Sequence, residues 1–274
     1  MLLHQNDWIV IPFHFRLDLL LSLLKSISSY SILVIDDSDA LLDGVELGLN
    51  VQVLKNNREP SFANSVNTGL EHLAGLGVQK VLVLNDDARI SEQDCQSLFL
   101  TWKPKTLISP IIQQGKEHFY GVRVQNWGRV SILKESSVPD ALLGTCLLLP
   151  TELRFDSSFP HGFEDIELSI RARKAGYHLE ILDTCYCQHI GEGTLSRRHR
   201  KGQRYSTYGQ LRLYSSKRKA PLIGLLSLLQ IVRERGDSER YLGFVQGVGD
   251  WLFKDCFSLA TRMASSKEGS NKAR

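Results

Sequence analysis

Short apolar runs alternate with amphipathic segments through the first part of the chain. Apolar runs bounded by polar residues are typical of buried strands, and within 16–29 apolar residues recur at i, i+3, i+4 and i+7, which is typical of an amphipathic helix. The predicted elements are strands at 8–12, 31–35, 51–54 and 80–84 and helices at 16–29, 64–73 and 91–100. This alternation predicts a parallel sheet with right-handed crossovers, a Rossmann-like first half.

The pattern is more mixed after Thr106. Strand-like runs within 119–133 surround a turn at 126–128. A helix is predicted at 165–175, closed by Gly176, and a strand at 178–188. Beyond Arg197 the chain is predicted to be helical, including 221–235, whose leucines share one face, and to end in a disordered tail from Ser265.

Composition and charge narrow the class of protein. Hydrophobic residues make up 42% and charged residues 23% of the chain, as in ordinary globular proteins, and no apolar stretch approaches the ~20 residues of a membrane span. The N-terminus lacks the basic region of a secretory signal, and five cysteines form no disulfide framework. We therefore expect a cytoplasmic protein, with a peripheral position on the inner face of the plasma membrane as an option.

The net charge of +3 is unevenly distributed. Residues 197–274 hold 17 Lys and Arg against 6 Asp and Glu, a net charge of +11, whereas residues 1–196 hold 16 against 24, a net charge of −8. A basic C-terminal part attached to an acidic body predicts an anionic partner.

Acidic residues follow two of the predicted strands directly. Asn85, Asp86 and Asp87 come after one strand, and Asp36 and Asp37 after another. Ligands of open α/β sheets bind at the carboxyl ends of the strands, and Mg²⁺ or Mn²⁺ is commonly shared between protein carboxylates and substrate phosphates. Acidic turns are also common for local reasons, so the strand ends alone leave both interpretations open.

Polar groups also stand at the ends of two later elements. Glu164 and Asp165 begin a predicted helix and His189 follows a predicted strand; taken singly, the acids could cap the helix and the histidine could be a satisfied core residue. Cys185, Cys187 and His189 would share one strand face, which allows a zinc site. Structural zinc sites usually have a second ligand pair, so buried strand cysteines are the favoured interpretation.

Three blocks of sequence, in order over residues 8–196, resemble the family 2 glycosyltransferases. The first block comprises 9–16 and 33–38, the second 57–64, Asn67, Gly69 and 84–88, and the third 144–149 and 155–189. The third block resembles the rhamnosyltransferase-like branch.

The resemblance implies a GT-A fold, in which a Rossmann-like nucleotide-binding half continues into a mixed central sheet with helices on both faces. It also implies an inverting hexosyl- or rhamnosyltransferase that moves a sugar from a dTDP-, UDP- or GDP-sugar to a saccharide or lipid-linked saccharide in cell-surface polysaccharide synthesis.

The resemblance assigns roles to individual residues. Asp165 would be the general base, with Glu164 orienting the acceptor or the sugar. Asp87 and His189 would hold a divalent cation, Mn²⁺ or Mg²⁺, and binding should be weak because Asn85 stands where the family's motif has its first acid. The residues expected to bind the nucleotide sugar are Pro12, Asp36, Asp37, Asn64, Asn85 and Asp86.

Several departures from the family pattern keep alternatives open. His14 and Phe15 follow the proline, and Ser38 and Asp39 follow the acidic pair, which leaves the donor undetermined. A catalytically silent protein that binds nucleotide sugars or glycans is the main alternative. A nucleotidyltransferase is disfavoured because no glycine-rich loop follows the first strand.

The basic C-terminal segment allows three interpretations. Arg197 and Arg198 could belong to a loop that closes over the donor diphosphate, the segment could contact anionic lipids, or it could be a solvated helix face. No nucleic-acid motif is present. The predicted organisation is therefore a GT-A domain at 1–196, a basic helical extension at 197–264 and a tail at 265–274.

Overall fold

A computed structural model of the protein describes residues 4–38, 40–125, 130–190, 200–214, 220–234 and 236–253. The chain divides into two compact units. The sheet unit comprises 1–125 and 130–192, and the helical unit comprises 126–129 and 193–274. The predicted boundary at 196, the turn at 126–128 and the tail from 265 lie outside the described residues, so they remain predictions.

The described strands of the sheet unit form one large sheet and one small one. The strands are β1 (His4–Phe13), β2 (Tyr30–Asp36), β3 (Val51–Lys55), β4 (Lys80–Leu84), β5 (Ala88–Ile90), β6 (Thr106–Gln114), β7 (Glu117–Phe119), β8 (Val122–Val124), β9 (Val130–Ile132), β10 (Cys146–Pro150) and β11 (His178–His189). Within the described residues the large sheet has the order β3-β2-β1-β4-β10-β6-β11-β5, with β7 paired to β6, while β8 and β9 form a separate hairpin.

The first four strands are parallel, as the alternation of strands and helices predicted. The chain runs outward from β1 to β2 and β3 and then returns to place β4 on the other side of β1. This reversal splays apart the loops that follow β1 and β4, and such a switch point is where open α/β sheets bind ligands.

The second half of the sheet is mixed. β10 is antiparallel to both β4 and β6, so β10 begins at the edge where β4 ends. β11 runs parallel to β6, but its register shifts between Leu182 and Tyr186, opposite Pro110 and Ile111. Proline has no N–H to donate to the ladder, and the extra residues of β11 form a bulge there. The sequence analysis described 178–188 as one strand and did not find β5, β6 and β10 as strands.

Four helices cover the two faces of the large sheet. They are α1 (Leu17–Ser26), α2 (Phe62–Gly75), α3 (Glu92–Thr101) and α4 (Glu164–Lys174). Leucines of α1 and α3 pack in one core cluster, and apolar residues of α2 and α4 pack in the other. The hydroxyl oxygens of Ser61 and Ser91 accept hydrogen bonds from backbone N–H groups in the first turns of α2 and α3, which satisfies donors that a helix start leaves free.

The helical unit contains α5 (Arg200–Leu213), α6 (Ala220–Arg233) and a further helix, α7, at 238–253. Two glycines of α7 allow it to approach α5 closely: a Cβ on Gly247 would lie 2.5 Å from the carbonyl oxygen of Arg204, and one on Gly243 would collide with the carbonyl oxygen of Arg200. None of the helices in the described part of the chain is both long and apolar enough to cross a membrane.

Gly69 allows a test of how closely α2 packs on β1. A Cβ on Gly69 would lie 2.8 Å from Cγ1 of the fully buried Val10, and valine has little rotamer freedom with which to yield. We expect Gly69→Ala to lower the free energy of unfolding by about 1–3 kcal/mol, measured by urea denaturation.

Gly75→Ala is the matched control on the same helix. A Cβ on Gly75 would have open space around it, so alanine's higher helix propensity should leave stability unchanged or raise it by up to about 1 kcal/mol. Equal effects of the two substitutions would contradict the close approach of α2 to β1.

Candidate active site

The predicted site residues of the sheet unit that follow β1, β2 and β4 lie at one edge of the sheet. The backbone N–H of Asp37 donates to the carbonyl oxygen of Phe13 over 2.8 Å, which joins the ends of β2 and β1. The backbone N–H of Asn85 donates to the carbonyl oxygen of Thr145 over 3.0 Å, which joins the end of β4 to the start of β10. Strand direction therefore places these turns at the carboxyl ends of the parallel strands.

The two acids after β2 are held in different ways. Asp36 is buried, and its Oδ1 accepts bonds from the backbone N–H of Ser38 at 2.8 Å and from the Ser38 hydroxyl at 2.6 Å, so this side chain stabilises its own turn. Asp37 is more accessible. Its Oδ1 accepts from the Asn56 amide over 2.6 Å and its Oδ2 from the Ser65 hydroxyl. Asp37 is thus the better placed of the two to contact a ligand.

Pro12 and Asn64 flank the same region. Pro12 lies in β1 opposite Ile35. Asn64 lies in the first turn of α2, where its side-chain amide donates to the carbonyl oxygen of Glu59 over 2.8 Å. Ser65, next to Asn64, carries the hydroxyl that donates to Asp37. Both residues therefore shape the region around Asp37.

Asp87 and His189 are paired. Nε2 of His189 lies 3.2 Å from Oδ2 of Asp87, and the backbone N–H of Ile190 donates to the carbonyl oxygen of Asp87 over 3.0 Å. The antiparallel pairing of β5 with β11, in which His189 faces Ala88, brings the two side chains together. The structure thus joins two residues that stand far apart in sequence.

Asp165 contacts the segment that precedes β10. Its Oδ2 accepts a hydrogen bond from the backbone N–H of Gly144 over 2.9 Å, and its Oδ1 accepts from the N–H of Ile166 over 2.8 Å. A Cβ on Gly144 would lie 3.2 Å from Cβ of Asp165, so glycine permits this approach. Because the next residue, Thr145, bonds to Asn85, Asp165 and the acidic turn after β4 lie at the same edge.

The loop before Asp165 has an unusual backbone. Gly162 and Phe163 both have positive φ, 78° and 73°. Phe163 is the N-cap position of α4 and makes no side-chain cap bond. A non-glycine residue in the left-handed region costs roughly 1–2 kcal/mol, and such strain concentrates at functional sites. The turn places Glu164 and Asp165 in the first helical turn, where the helix dipole favours negative charge.

Glu164 and Asp165 have distinct protonation chemistry. Burial, together with the adjacent charge of Asp165, raises the pKa of Glu164 to about 8. Burial also raises the pKa of Asp165, but the N–H groups of Gly144 and Ile166 oppose that rise by stabilising the carboxylate. At pH 7 Glu164 is therefore mostly protonated, whereas the two N–H groups favour the carboxylate form of Asp165.

The pKa of the neighbouring acid Asp86 is also raised. Burial, together with the charge of Asp87, raises the pKa of Asp86 to about 6, and the backbone N–H of His14 and the charge of Arg16 partly oppose this. The acidic residues at this edge are thus crowded together, and among the described residues the charge of Arg16 partly offsets that of Asp86. A bound cation would reduce the repulsion among these carboxylates.

Oxygen and nitrogen atoms at this edge offer a partial set of ligands for the predicted divalent cation. Oδ1 of Asn85 and Oδ1 of Asp87 are buried and have no hydrogen-bond partner among the described residues, and buried oxygens of this kind call for a donor or a cation. With Nε2 of His189 they make a partial ligand set of the kind that Mn²⁺ accepts. The described residues contain no group of three or more His, Cys, Asp and Glu side chains that could hold a metal.

Two other predicted features have different outcomes. Cys185 and Cys187 are buried in the sheet unit, whereas His189 pairs with Asp87, so the structure favours strand cysteines over a zinc site. Arg197 and Arg198 lie outside the described residues, and their predicted role at the diphosphate remains a prediction.

The structure adds three positioning residues to which the sequence analysis gave no role. Gly144 accommodates Asp165, and Ser65 holds Asp37. Asn67 links α2 to the segment before α4, since its amide donates to the carbonyl oxygen of Phe155 over 2.9 Å and its Oδ1 accepts from the N–H of Phe155 over 2.8 Å. For Asn67 and Gly144, the available signal of a positioning role was an asparagine and a glycine that are buried in otherwise apolar surroundings.

No family model and no curated protein matches this chain. Among solved structures, the chain is similar to the mannosyltransferase PcManGT from Pyrobaculum calidifontis in complex with GDP-Man and Mn²⁺, with a TM-score of 0.56 and 12% identity over 96% of this chain and 81% of that one. It is also similar to GalNAc-T7 with UDP, GalNAc and Mn²⁺, with a TM-score of 0.55 and 16% identity over 76% of this chain but only 47% of that one.

Residues 1–349 of TarS from S. aureus give a TM-score of 0.52 and 15% identity over 90% of this chain and 70% of that one. At such identities the likeness establishes the fold. The prediction of an α/β GT-A fold is confirmed: a mixed, curled central sheet with helices matches these glycosyltransferase structures.

The protonation of Glu164 predicts a pH dependence of stability. Because the pKa rises from 4.5 in the unfolded chain to about 8 in the folded protein, the folded state retains a proton that the unfolded chain releases between these values. Wild-type stability is therefore lost as pH rises through this window. The unfolding free energy of Glu164→Gln minus that of wild type should therefore rise by up to about 1.4 kcal/mol for each pH unit within this window. Denaturation at several pH values measures this difference.

Glu46→Gln, at an exposed position of the sheet unit, is the control and should differ from wild type by a constant amount. A pH-independent difference for Glu164→Gln would mean that Glu164 is already ionised in the folded protein.

Proposed function

We propose that the protein is an inverting glycosyltransferase of the family 2 type. The observation that carries this proposal is the link from Asp165 through Gly144 and Thr145 to Asn85, which supports a single site containing both a base and an acidic cation-binding turn. The GT-A fold, shared with structures bound to UDP and GDP-Man, supports a nucleotide-diphosphate sugar as the donor.

In the proposed reaction an acceptor hydroxyl attacks the anomeric carbon from the side opposite the nucleoside diphosphate. The new C–O bond forms as the bond to the diphosphate oxygen breaks, and the nucleoside diphosphate leaves with the bonding electron pair. Asp165 accepts the hydroxyl proton, and this requires the carboxylate form. The N–H groups of Gly144 and Ile166 favour that form and hold the carboxylate in one orientation.

Glu164 has a different role from Asp165. As a neutral acid at pH 7 it can donate a hydrogen bond to an oxygen of the sugar or the acceptor. Its Oε2 is buried and has no hydrogen-bond partner among the described residues, which leaves that atom available. We therefore assign Glu164 to orientation and Asp165 to proton transfer.

The predicted cation would be held by Asn85, Asp87 and His189. When bound, Mn²⁺ or Mg²⁺ would stabilise the negative charge of the diphosphate leaving group. Asn85 supplies an amide oxygen where a carboxylate would add charge, so we propose that affinity is low until the donor contributes its phosphate oxygens.

The finer assignments are also proposals. The sequence blocks favour a rhamnosyl- or hexosyltransferase acting on a saccharide or lipid-linked saccharide acceptor in cell-surface polysaccharide synthesis. We propose a cytoplasmic location, with peripheral contact between the basic C-terminal segment and the inner face of the plasma membrane. The alternative, a silent nucleotide-sugar-binding protein, is motivated by Asn85. Slow hydrolysis of UDP-, GDP- or dTDP-sugars with Mn²⁺ would exclude it.

Asp165→Asn tests the base assignment. Asparagine retains the shape of the side chain but cannot accept a proton, so transfer or donor hydrolysis should fall by about 10²–10⁴-fold. Donor binding, measured as thermal stabilisation by the nucleotide sugar, should be largely retained. Asp43→Asn, at an exposed position, is the control and should behave as wild type. Unchanged turnover of Asp165→Asn would refute the assignment.

Asn85→Asp tests the cation site. A second carboxylate should raise the affinity for Mn²⁺ about tenfold, equivalent to about 1.4 kcal/mol, and Asp87→Asn should lower it by a similar factor. Free Mn²⁺ would be followed by electron paramagnetic resonance, with and without nucleoside diphosphate. Gln52→Glu adds the same charge at an exposed position of β3, and an equal gain there would show that the effect is general electrostatics rather than ligation.

A further inference from the structure

In the helical unit, α5 buries mainly small and polar residues. Six of the eight buried residues on α5 are glycine, serine, threonine or glutamine. Gln203 accepts a hydrogen bond from the guanidinium of the buried Arg240, and the hydroxyl of Ser227 donates to Gln210 over 3.0 Å. Helices that pack through small and hydrogen-bonding residues are typical of an apolar environment, where large aliphatic side chains are not needed inside.

The outer surface of α6 is apolar. Four aliphatic residues remain about half exposed: Leu222 at 48%, Leu225 at 53%, Leu229 at 52% and Val232 at 54%. Their spacing places them on one stripe of the helix. The opposite side of α6 is buried through Ala220, Ile223 and Ile231, so the outer stripe is additional to the face that packs within the unit.

α7 repeats this arrangement. Gly243 and Gly247 face α5, and Asp250 accepts two hydrogen bonds from the guanidinium of Arg204 at 2.5 and 2.8 Å. The exposed large hydrophobic residues of α7 are Leu242, Val245, Leu252 and Phe253. Both helices therefore expose large apolar residues on an outer side, and α7 turns its glycines towards α5.

The charge distribution around α6 indicates what contacts the outer stripe. No charged residue occurs at 220–232, whereas Lys217, Arg218 and Lys219 precede this stretch in the sequence and Arg233 and Arg235 follow it. Thirteen helical residues extend about 20 Å, too short for a ~30 Å hydrocarbon core. An apolar stripe of this length between basic residues suits a helix that lies along an anionic lipid surface.

We propose that the helical unit docks on an anionic membrane surface through the stripe of Leu222, Leu225, Leu229 and Val232 on α6. A second copy of the chain is a poorer occupant because each copy carries the same net charge of +11 over 197–274, and like charges repel. This inference deepens the proposed function, because the link between membrane docking and a lipid-linked acceptor rests on the proposed glycosyltransferase activity. Lipid binding is measured without sugar transfer, so the two proposals can fail separately.

The test is flotation of the full-length protein with vesicles of phosphatidylcholine that contain about a third phosphatidylglycerol. The wild type should float with these vesicles and stay behind with pure phosphatidylcholine, and binding should weaken in high salt because screening reduces the attraction to the headgroups. Leu225→Glu/Leu229→Glu should lower the bound fraction at least tenfold, since it places charge on the stripe.

Leu100→Glu is the control, since Leu100 is an even more exposed leucine, at 78%, near the end of α3 in the sheet unit, and it should float like wild type. If circular dichroism shows that the double glutamate variant is misfolded, Leu225→Ala/Leu229→Ala replaces it and should still reduce binding several-fold. Equal binding of a folded double variant and wild type, or failure of wild type to bind anionic vesicles, would overturn the proposal. The proposal would also be overturned if the wild type is a dimer, the folded double variant is a monomer and neither binds vesicles. In that case the stripe contacts a second copy of the chain.

Discussion

The candidate site depends on one hydrogen bond, from the backbone N–H of Gly144 to the carboxylate of Asp165. It fixes the first turn of α4 against the segment that enters β10. Because the next carbonyl, that of Thr145, accepts from Asn85, the same short segment sets the position of the turn after β4. A Cβ at position 144 would lie 3.2 Å from Cβ of Asp165, so glycine favours this approach. Two regions eighty residues apart in sequence are thereby held at one edge of the sheet.

Burial creates most of the chemistry at that edge. It raises the pKa of Glu164 to about 8 and that of Asp86 to about 6, while hydrogen bonds from two backbone N–H groups oppose the same effect at Asp165. Neighbouring acids with different surroundings can then take different roles, one as a neutral hydrogen-bond donor and one as a proton acceptor. The remaining negative charge would repel a diphosphate, so an anionic donor at this edge requires compensating cations, and this is the physical reason to expect a metal ion beside Asp87.

Much of the first half of the fold could be predicted from the sequence because its strands are continuous apolar runs with helices of clear period between them. The mixed half could not be predicted so well. β10 overlaps the sequence block at 144–149, which was recognised as a motif rather than as a strand, and β11 contains a bulge opposite Pro110 whose cause lies on another strand. Asp165, Asp87 and His189 could be selected by residue type and position at element ends. The roles of Gly144, Ser65 and Asn67 could not be assigned in this way, because they depend on tertiary contacts with Asp165, Asp37 and Phe155.

The two units differ in what they bury, and this difference bears on how each is stabilised. The sheet unit buries aliphatic side chains on both faces of its sheet, so removal of apolar surface from water drives its folding. The helical unit buries Gln203 and Arg240 as well as apolar residues such as Ile223, and it exposes leucines on α6 and α7, so part of its apolar surface stays in contact with water. A surface that covers those leucines would supply the missing apolar burial, and the stability of the helical unit would then be linked to binding.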